Sequence, residues 1–240
     1  GKNVLGVGDA SGMCPVEGRE YNRVFAQKFK RKTGIDIIKL LPEIKVAGEP
    51  AGRLTEEGAR FLDPAGILKG GAHMCPPEGD AGTGMVATNS IAPKTANVSA
   101  GTSAFLMAVL ERPLKNVYRE IDIVAMVHVN NCTSELNAWA GLLGEAISLA
   151  GANVPRGELM EKLFKISEES AGNAADIAAY NYFSGEPVAG TGQGVPALFR
   201  RPGSSFTLAD FMRAEIYSAV AALRLGTEIL QGEGVELEKV

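Results

Sequence analysis

Ser103 to Leu110 is apolar at every position after the first. A run with no polar alternation reads as a strand buried on both faces, a demand that other layers of the fold must meet. The chain supplies elements of helical spacing to meet it. Thr207 opens the strongest, with Asp210 at the third position. Leu208, Phe211, Met212, Ile216, Val220, Leu223, Thr227 and Leu230 keep its period. Asn130-Asn131-Cys132-Thr133 reads as the cap of a second helix, with Leu136, Trp139, Leu143, Ile147 and Ala150 on its inner face. A third covers about 157–168, with Leu159, Leu163 and Phe164 inward. Strands alternating with helices predict an α/β fold.

The N-terminal part is less regular. Asn3 to Gly8 reads as a short strand, and Asp9-Ala10-Ser11-Gly12 as the turn after it. Glu20 to Lys32 places Tyr21, Val24, Phe25 and Phe29 on one helical face, and Thr33-Gly34 ends it. Ile35 to Leu41 is a short apolar segment stopped by Pro42, and a turn of helix is expected near Thr55 to Arg60. Lys69 to Met74 leads toward Asp80, and a domain junction is placed there, giving domains 1–76 and 77–240. Residues 170–206 read as loops, with Tyr180 to Phe183 as an apolar anchor and Gly190 to Gly194 as a mobile tip.

Composition narrows the function. With 240 residues and 45% hydrophobic content, the chain can bury a core. A net charge of −4 and the lack of a basic stripe argue against nucleic acid or an anionic membrane as partner. The cluster Lys28, Lys30, Arg31 and Lys32 reads as a solvated helix face. Cys14, Cys75 and Cys132 are too far apart for a framework, which fits a reduced cytoplasm. Two histidines, His73 and His128, with scattered cysteines make no zinc site, and both histidines read as structural. No run of about 18 apolar residues is present, so no spanning helix is expected.

Two glycine-rich turns carry the chemistry. Glu78-Gly79-Asp80-Ala81-Gly82-Thr83-Gly84 offers one carboxylate among small neighbours, where a substrate can approach closely. Gly101-Thr102-Ser103 joins two β-prone runs, and such a turn can present N–H and hydroxyl donors to an anion. A carboxylate to accept a proton and a nest to hold phosphate are the parts of a phosphoryl-transfer site.

The residues around these turns resemble the FGGY family of carbohydrate kinases. There a "GD-(small)-(small)-G" loop holds the catalytic Asp and a "GTS" turn touches the ATP phosphates. Gly8-Asp9-Ala10-Ser11-Gly12-Met13 looks like the family's "sDAsgT" segment. Leu40 to Ile44 with Ala47-Gly48-Glu49 and Gly52 looks like "LPev…Ge..G". Tyr182 to Glu186 looks like "yl.GER.P". The resemblance implies a two-domain actin-like (ribonuclease-H-like) ATPase fold. The family's "D-x-G-T-T" loop and "GGG" adenosine segment do not occur in this sequence. The expectation is therefore a central piece of such a kinase: the end of the first, sugar-binding domain and most of the second, nucleotide-binding one. Alone, such a piece should have little activity.

The resemblance implies ATP and Mg²⁺, with Asp80 as general base and Gly101, Thr102 and Ser103 at the phosphates. Asp9, Ser11 and Ala81 are candidates for the sugar side, Asp9 and Ser11 being read equally well as a capping turn. Asn131 and Thr133 are candidates near the nucleotide, with simple capping the plainer reading. Glu78 and Glu186 read as solvated loop carboxylates, the sharper alternative being that they orient Mg²⁺ or the loop. The substrate expected is a ketopentose such as xylulose or ribulose; Ala81 argues mildly against glycerol. A homodimer fits the same picture. Rival readings are an actin-like ATPase that gives phosphate to water and a non-catalytic sugar-binding module. One departure concerns Glu120 to Val129. Ile121, Ile123, Ala125, Val127 and Val129 alternate without a turn residue at Val124-Ala125-Met126, where relatives build a hairpin. The expectation is either one long strand or, preferably, an omitted loop at that point.

Overall fold

The computed structural model describes residues 2–240 apart from 113, 115–118, 122, 123, 171 and 173. It divides into two compact units, one of residues 1–97, 108–125 and 239, the other of 98–107, 126–238 and 240.

In the first unit, β1 (Val4–Gly6) runs directly into α1 (Val7–Met13). Asp9-Ala10-Ser11-Gly12 is thus helical rather than the expected turn. The Ser11 hydroxyl bonds the Gly8 carbonyl at 2.6 Å, and Ala10 is fully buried. A tight hairpin, β2 (Val16–Glu17) and β3 (Glu20–Tyr21), precedes α2 (Arg23–Thr33). The Asn22 side chain caps α2 by accepting the Phe25 N–H at 2.7 Å, and Gly34 ends it in the left-handed region. Only Ala26 is buried on this helix; Val24 and Phe25, expected inward, are exposed.

β4 (Glu43–Lys45) pairs in parallel with β1, Leu5 opposite Ile44. A single 3-10 turn, Ile37–Lys39, is all that forms in the apolar stretch before Pro42. β5 (Gly52–Arg53) pairs with β6 (His73–Met74), and between them Thr55 caps α3 (Glu56–Leu62) through the Gly58 N–H at 3.0 Å. α4 (Asp80–Ala87) follows.

β7 (Ala96–Ala100), β8 (Ala104–Val109), β9 (Arg119–Ile121) and β10 (Val124–Val129) form one sheet in the order β7-β8-β10-β9. In β8, Ala104, Leu106, Met107, Ala108 and Val109 are all buried, as the unbroken apolar run predicts. β10 runs through Val124-Ala125-Met126, with a register irregularity between Val124 and Ala125 where it pairs with β9. β9 pairs antiparallel with β10, Ile121 opposite Val124, which excludes one long strand. Ile123 lies outside the described residues.

The second unit packs α5 (Ser134–Leu149), α6 (Arg156–Ser167) and α7 (Leu208–Gly232) around one cluster. Leu136, Ala140, Leu159, Leu163, Phe211 and Met212 form its buried centre. Trp139 meets Phe211 edge-on at 4.8 Å, so it is a core residue. Phe164, expected inward, is 43% exposed; inward positions on α6 follow Leu159 and Leu163 at i, i+4. The Thr207 hydroxyl accepts the Asp210 N–H at 3.2 Å and donates to its carboxylate at 2.7 Å, the start signal read from sequence. Within 170–206, β11 (Ile177–Tyr180) and β12 (Ala197–Arg200) form an antiparallel pair that sequence reading missed.

Candidate functional site

The candidate residues fall into two groups, one in each unit. In the first unit, the Gly6 N–H donates to the Pro77 carbonyl at 2.8 Å. This bond ties the end of β1 to the segment before Asp80. Glycine is required on both sides of the junction. A Cβ on Gly6 would overlap the Glu78 carboxyl group, and one on Gly79 would collide with Asp9 Oδ1. Asp9 and Glu78 therefore sit against the two strands of this crossing, close enough to repel. Glu78 is half-buried, not solvated as expected, and burial, followed by the Asp9 charge, raises its pKa.

Asp80 is the first residue of α4, with Gly79 as the N-cap, and its side chain is exposed. The expected loop is a helix start, so the aspartate stands where the unpaired N–H groups and positive end of α4 favour an anion. Thr83 turns its hydroxyl back to the Gly79 and Asp80 carbonyls, 2.9 and 3.3 Å away. Ala81 lies beside Asp80 on α4 and is half-buried. The structure thus places Asp9 and Ser11 on α1, Asp80 and Ala81 at the start of α4 and Glu78 just before it, with the Gly6–Pro77 bond joining the two segments.

In the second unit, Gly101-Thr102-Ser103 is the bend between β7 and β8. The Gly101 N–H is taken by the Ser103 carbonyl at 2.8 Å, so it is not the free donor of the nest expected from the sequence. The hydroxyls of Thr102 and Ser103 make no hydrogen bond among the described residues and lie at accessible positions. A second segment holds this bend from behind. The Cys132 N–H donates to the Thr102 carbonyl at 2.9 Å. Thr133 donates to the Gly101 carbonyl twice, from its N–H at 3.1 Å and its hydroxyl at 2.8 Å.

Capping, the plainer reading of Asn131 and Thr133, does not hold. Thr133 is the N-cap residue of α5 by position but makes no side-chain cap bond, its hydroxyl being spent on Gly101. Asn131 is 2% exposed and bonds Ser184, accepting its N–H at 2.9 Å and donating to its carbonyl at 3.2 Å. Beside it lies Glu186, with no exposed surface, its Oε2 accepting the Asn130 N–H at 2.9 Å. A glutamate before proline in a loop reads as solvated, whereas this one is enclosed. The apolar anchor at Tyr180 to Phe183 is corrected too. Tyr180 and Phe183 are half exposed, and the buried residue is Asn181, which donates to the Cys132 carbonyl at 2.9 Å. In the tip at Gly190 to Gly194, a Cβ on Gly194 would overlap the Phe183 carbonyl, whereas Gly190 and Gly192 have open space around them.

Among the described residues, no group of three or more His, Cys, Asp or Glu is placed to hold a metal ion. Likewise, no helix among them is long and apolar enough to cross a membrane. His73 and His128 are both exposed.

The sequence and the fold are both similar to those of known proteins. The chain is 26% identical over 249 residues to the xylulose kinase of Haemophilus influenzae, matching all of this chain and 47% of that protein. The solved xylulose kinase of Bifidobacterium adolescentis superposes with a TM-score of 0.60 at 20% identity, over 98% of this chain and 46% of the other. Plasmodium falciparum glycerol kinase with ADP gives 0.70 at 16% identity, over 99% and 46%. The chain thus spans about half the length of these relatives, and its fold is the corresponding part of the actin-like ATPase fold of sugar kinases. Residues 96–240 match the C-terminal domain of the FGGY family of carbohydrate kinases, and the chain belongs to that family.

Proposed function

We propose that the chain forms part of a cytoplasmic kinase that transfers the terminal phosphoryl group of MgATP to a hydroxyl of a ketopentose, xylulose or ribulose. The observation that carries this reading is the Gly101-Thr102-Ser103 bend, held from behind by Cys132 and Thr133 with two hydroxyls unspent. Clamped backbone and free hydroxyls are what a phosphate group in transfer requires, because donors fixed in advance need no reorganisation as charge develops.

On the acceptor side, Asp80 takes the proton of the attacking hydroxyl. Its place at the start of α4 suits the work, since the carboxylate is exposed and its neighbours Gly79 and Ala81 leave room for a sugar. Asp9, Ser11 and Ala81 belong to the sugar side, and Asn131 and Thr133 to the nucleotide side. Residues 1–76 carry the sugar-binding part and 77–240 the nucleotide-binding part. Magnesium enters with the nucleotide as MgATP. The name of the Haemophilus influenzae relative supports the ketopentose. A homodimer is part of the same proposal.

The test is a coupled assay of ADP release by the whole kinase of which this chain forms part, with a panel of sugars: xylulose, ribulose, glycerol, fuculose and rhamnulose. Release that depends on one ketopentose supports the reading. Release without any sugar would indicate a nucleotide hydrolase, and sugar binding without turnover a non-catalytic module.

A further inference from the structure

Glu186 is fully enclosed, yet it is followed by Pro187 and lies in a segment with little regular structure. A carboxylate in such a place is costly unless donors repay its lost hydration. Three donors converge on Oε2: the Asn130 N–H at 2.9 Å, the Asn131 N–H at 3.3 Å and the Asn131 side-chain amide at 3.1 Å. Oε1 is equally enclosed and has no partner among the described residues. The carboxylate is thus aimed at two consecutive residues more than fifty positions away.

Its own backbone is fixed first. The Glu186 N–H donates to the Thr191 carbonyl at 2.9 Å and the Thr191 N–H returns to the Glu186 carbonyl at 3.1 Å. The turn is closed so tightly that a Cβ on Gly185 would stand 2.8 Å from the Gly192 oxygen. Asn130 adds a bond to the Gly185 carbonyl at 2.7 Å. Residues 184–186 and 130–131 therefore form one hydrogen-bonded unit. The next two residues, Cys132 and Thr133, hold the carbonyls of Thr102 and Gly101.

We propose that Glu186 is a positioning residue for the Gly101-Thr102-Ser103 turn, acting through Asn130 to Thr133. The inference rests on the kinase reading above, in which that turn holds phosphate. Glu186 touches no substrate. Its Oε2 holds the backbone N–H groups of Asn130 and Asn131, which sets the direction in which the next two N–H groups point. Those in turn fix the bend that presents the Thr102 and Ser103 hydroxyls.

The experiment compares the full chain with its Glu186→Leu, Glu186→Gln and Asp210→Asn variants. Affinity for magnesium tripolyphosphate is followed by amide NMR, and hydrogen exchange is read at residues 130–133. Asp210 is a buried carboxylate of the same unit, bonded to Ser170, Ser205 and Thr207, and serves as the control for general loosening. Leucine removes every acceptor and should weaken tripolyphosphate by about tenfold or more, with faster exchange at Cys132 and Thr133. Glutamine keeps one acceptor oxygen and should bind within about threefold of the parent, with exchange raised at 130–133 before the rest of the unit. Asp210→Asn should lower the melting temperature and leave binding unchanged. Should the leucine variant not fold, exchange in the glutamine variant decides; unchanged exchange at 130–133 overturns the proposal. So does an equal loss of binding in all three variants. No tripolyphosphate binding by the parent chain would overturn the assignment of the turn to phosphate, whereas binding that ignores Glu186 would overturn this inference alone.

Discussion

Thr133 reaches the carbonyl oxygen of Gly101 twice, with its backbone N–H at 3.1 Å and its hydroxyl at 2.8 Å. The two residues are 32 positions apart, and the pair of bonds fixes both the place and the tilt of the Gly101 peptide. Thr133→Val keeps the shape and the N–H but loses the hydroxyl bond. That bond is worth about 0.5–1.5 kcal/mol, so the fold should survive. Sugar-dependent ADP release should fall roughly 3- to 10-fold, and Thr133→Ser, which restores the hydroxyl, should recover it. Equal rates for the valine and serine variants would show that the hydroxyl does not position the turn.

Asp80→Asn separates chemistry from stability. The side chain is exposed at the first position of α4, and asparagine keeps its size. Loss of the favourable charge at a helix start costs well under about 1 kcal/mol at an exposed site, so the melting temperature should hardly move. Removal of a positioned base should cut ADP release by about 10²- to 10⁴-fold. Retention of most activity would remove Asp80 from the role of base.

What the sequence shows and what it hides can be traced to distance along the chain. The Thr207–Asp210 box, the unbroken strand at Ala104 to Val109 and the inner face of α5 depend on neighbours within a few residues, and each was legible. Asp9 and Asp80 sit in helices that begin beside glycines, with no side-chain cap, so local propensity reads them as turns. Gly6 and Gly79 let Glu78 and Asp9 approach across about seventy residues of sequence, a closeness that local propensity does not register. The roles of Asn131, Asn181 and Glu186 were hidden for the same reason. An asparagine before a helix looks like a cap, and a glutamate before proline looks solvated. Only partners some fifty positions away turn them into buried holders of the 130–133 segment.

Gly226 tests how closely α7 lies on β10. A Cβ there would overlap the Val127 Cγ1 atom and press on its Cβ at 3.4 Å. Valine is stiff at χ1 and cannot swing aside cheaply. Gly226→Ala gains about 1 kcal/mol of helix propensity. Overpacking costs about 1–3 kcal/mol, so the larger effect should win and the urea midpoint should fall. A rise in the midpoint would mean that α7 can move off the strand without cost.

Glu215 and Glu135 are buried at 2% and 8% exposure in the α5–α7 core. Burial, reinforced by the Glu135 charge, pushes the Glu215 pKa up to about 7 from an ordinary 4.5. The Trp139 indole works against this rise for both carboxyls, without closing a hydrogen bond of good geometry. The raised value means that the folded state keeps a proton that the unfolded chain has released. Between about pH 4.5 and 7 the folded state therefore binds more protons, and stability must fall as pH rises through that window. The loss should be on the order of 1–3 kcal/mol and level off above the folded pKa. Glu215→Gln removes the titration while keeping the volume. Its urea midpoint should fall less steeply than the parent's from pH 5 to 8, Glu135 leaving a smaller slope, and exceed that of the parent at the upper end. A parent whose stability climbs over the same interval would show that Glu215 is ionised in the folded core and paired with a cation.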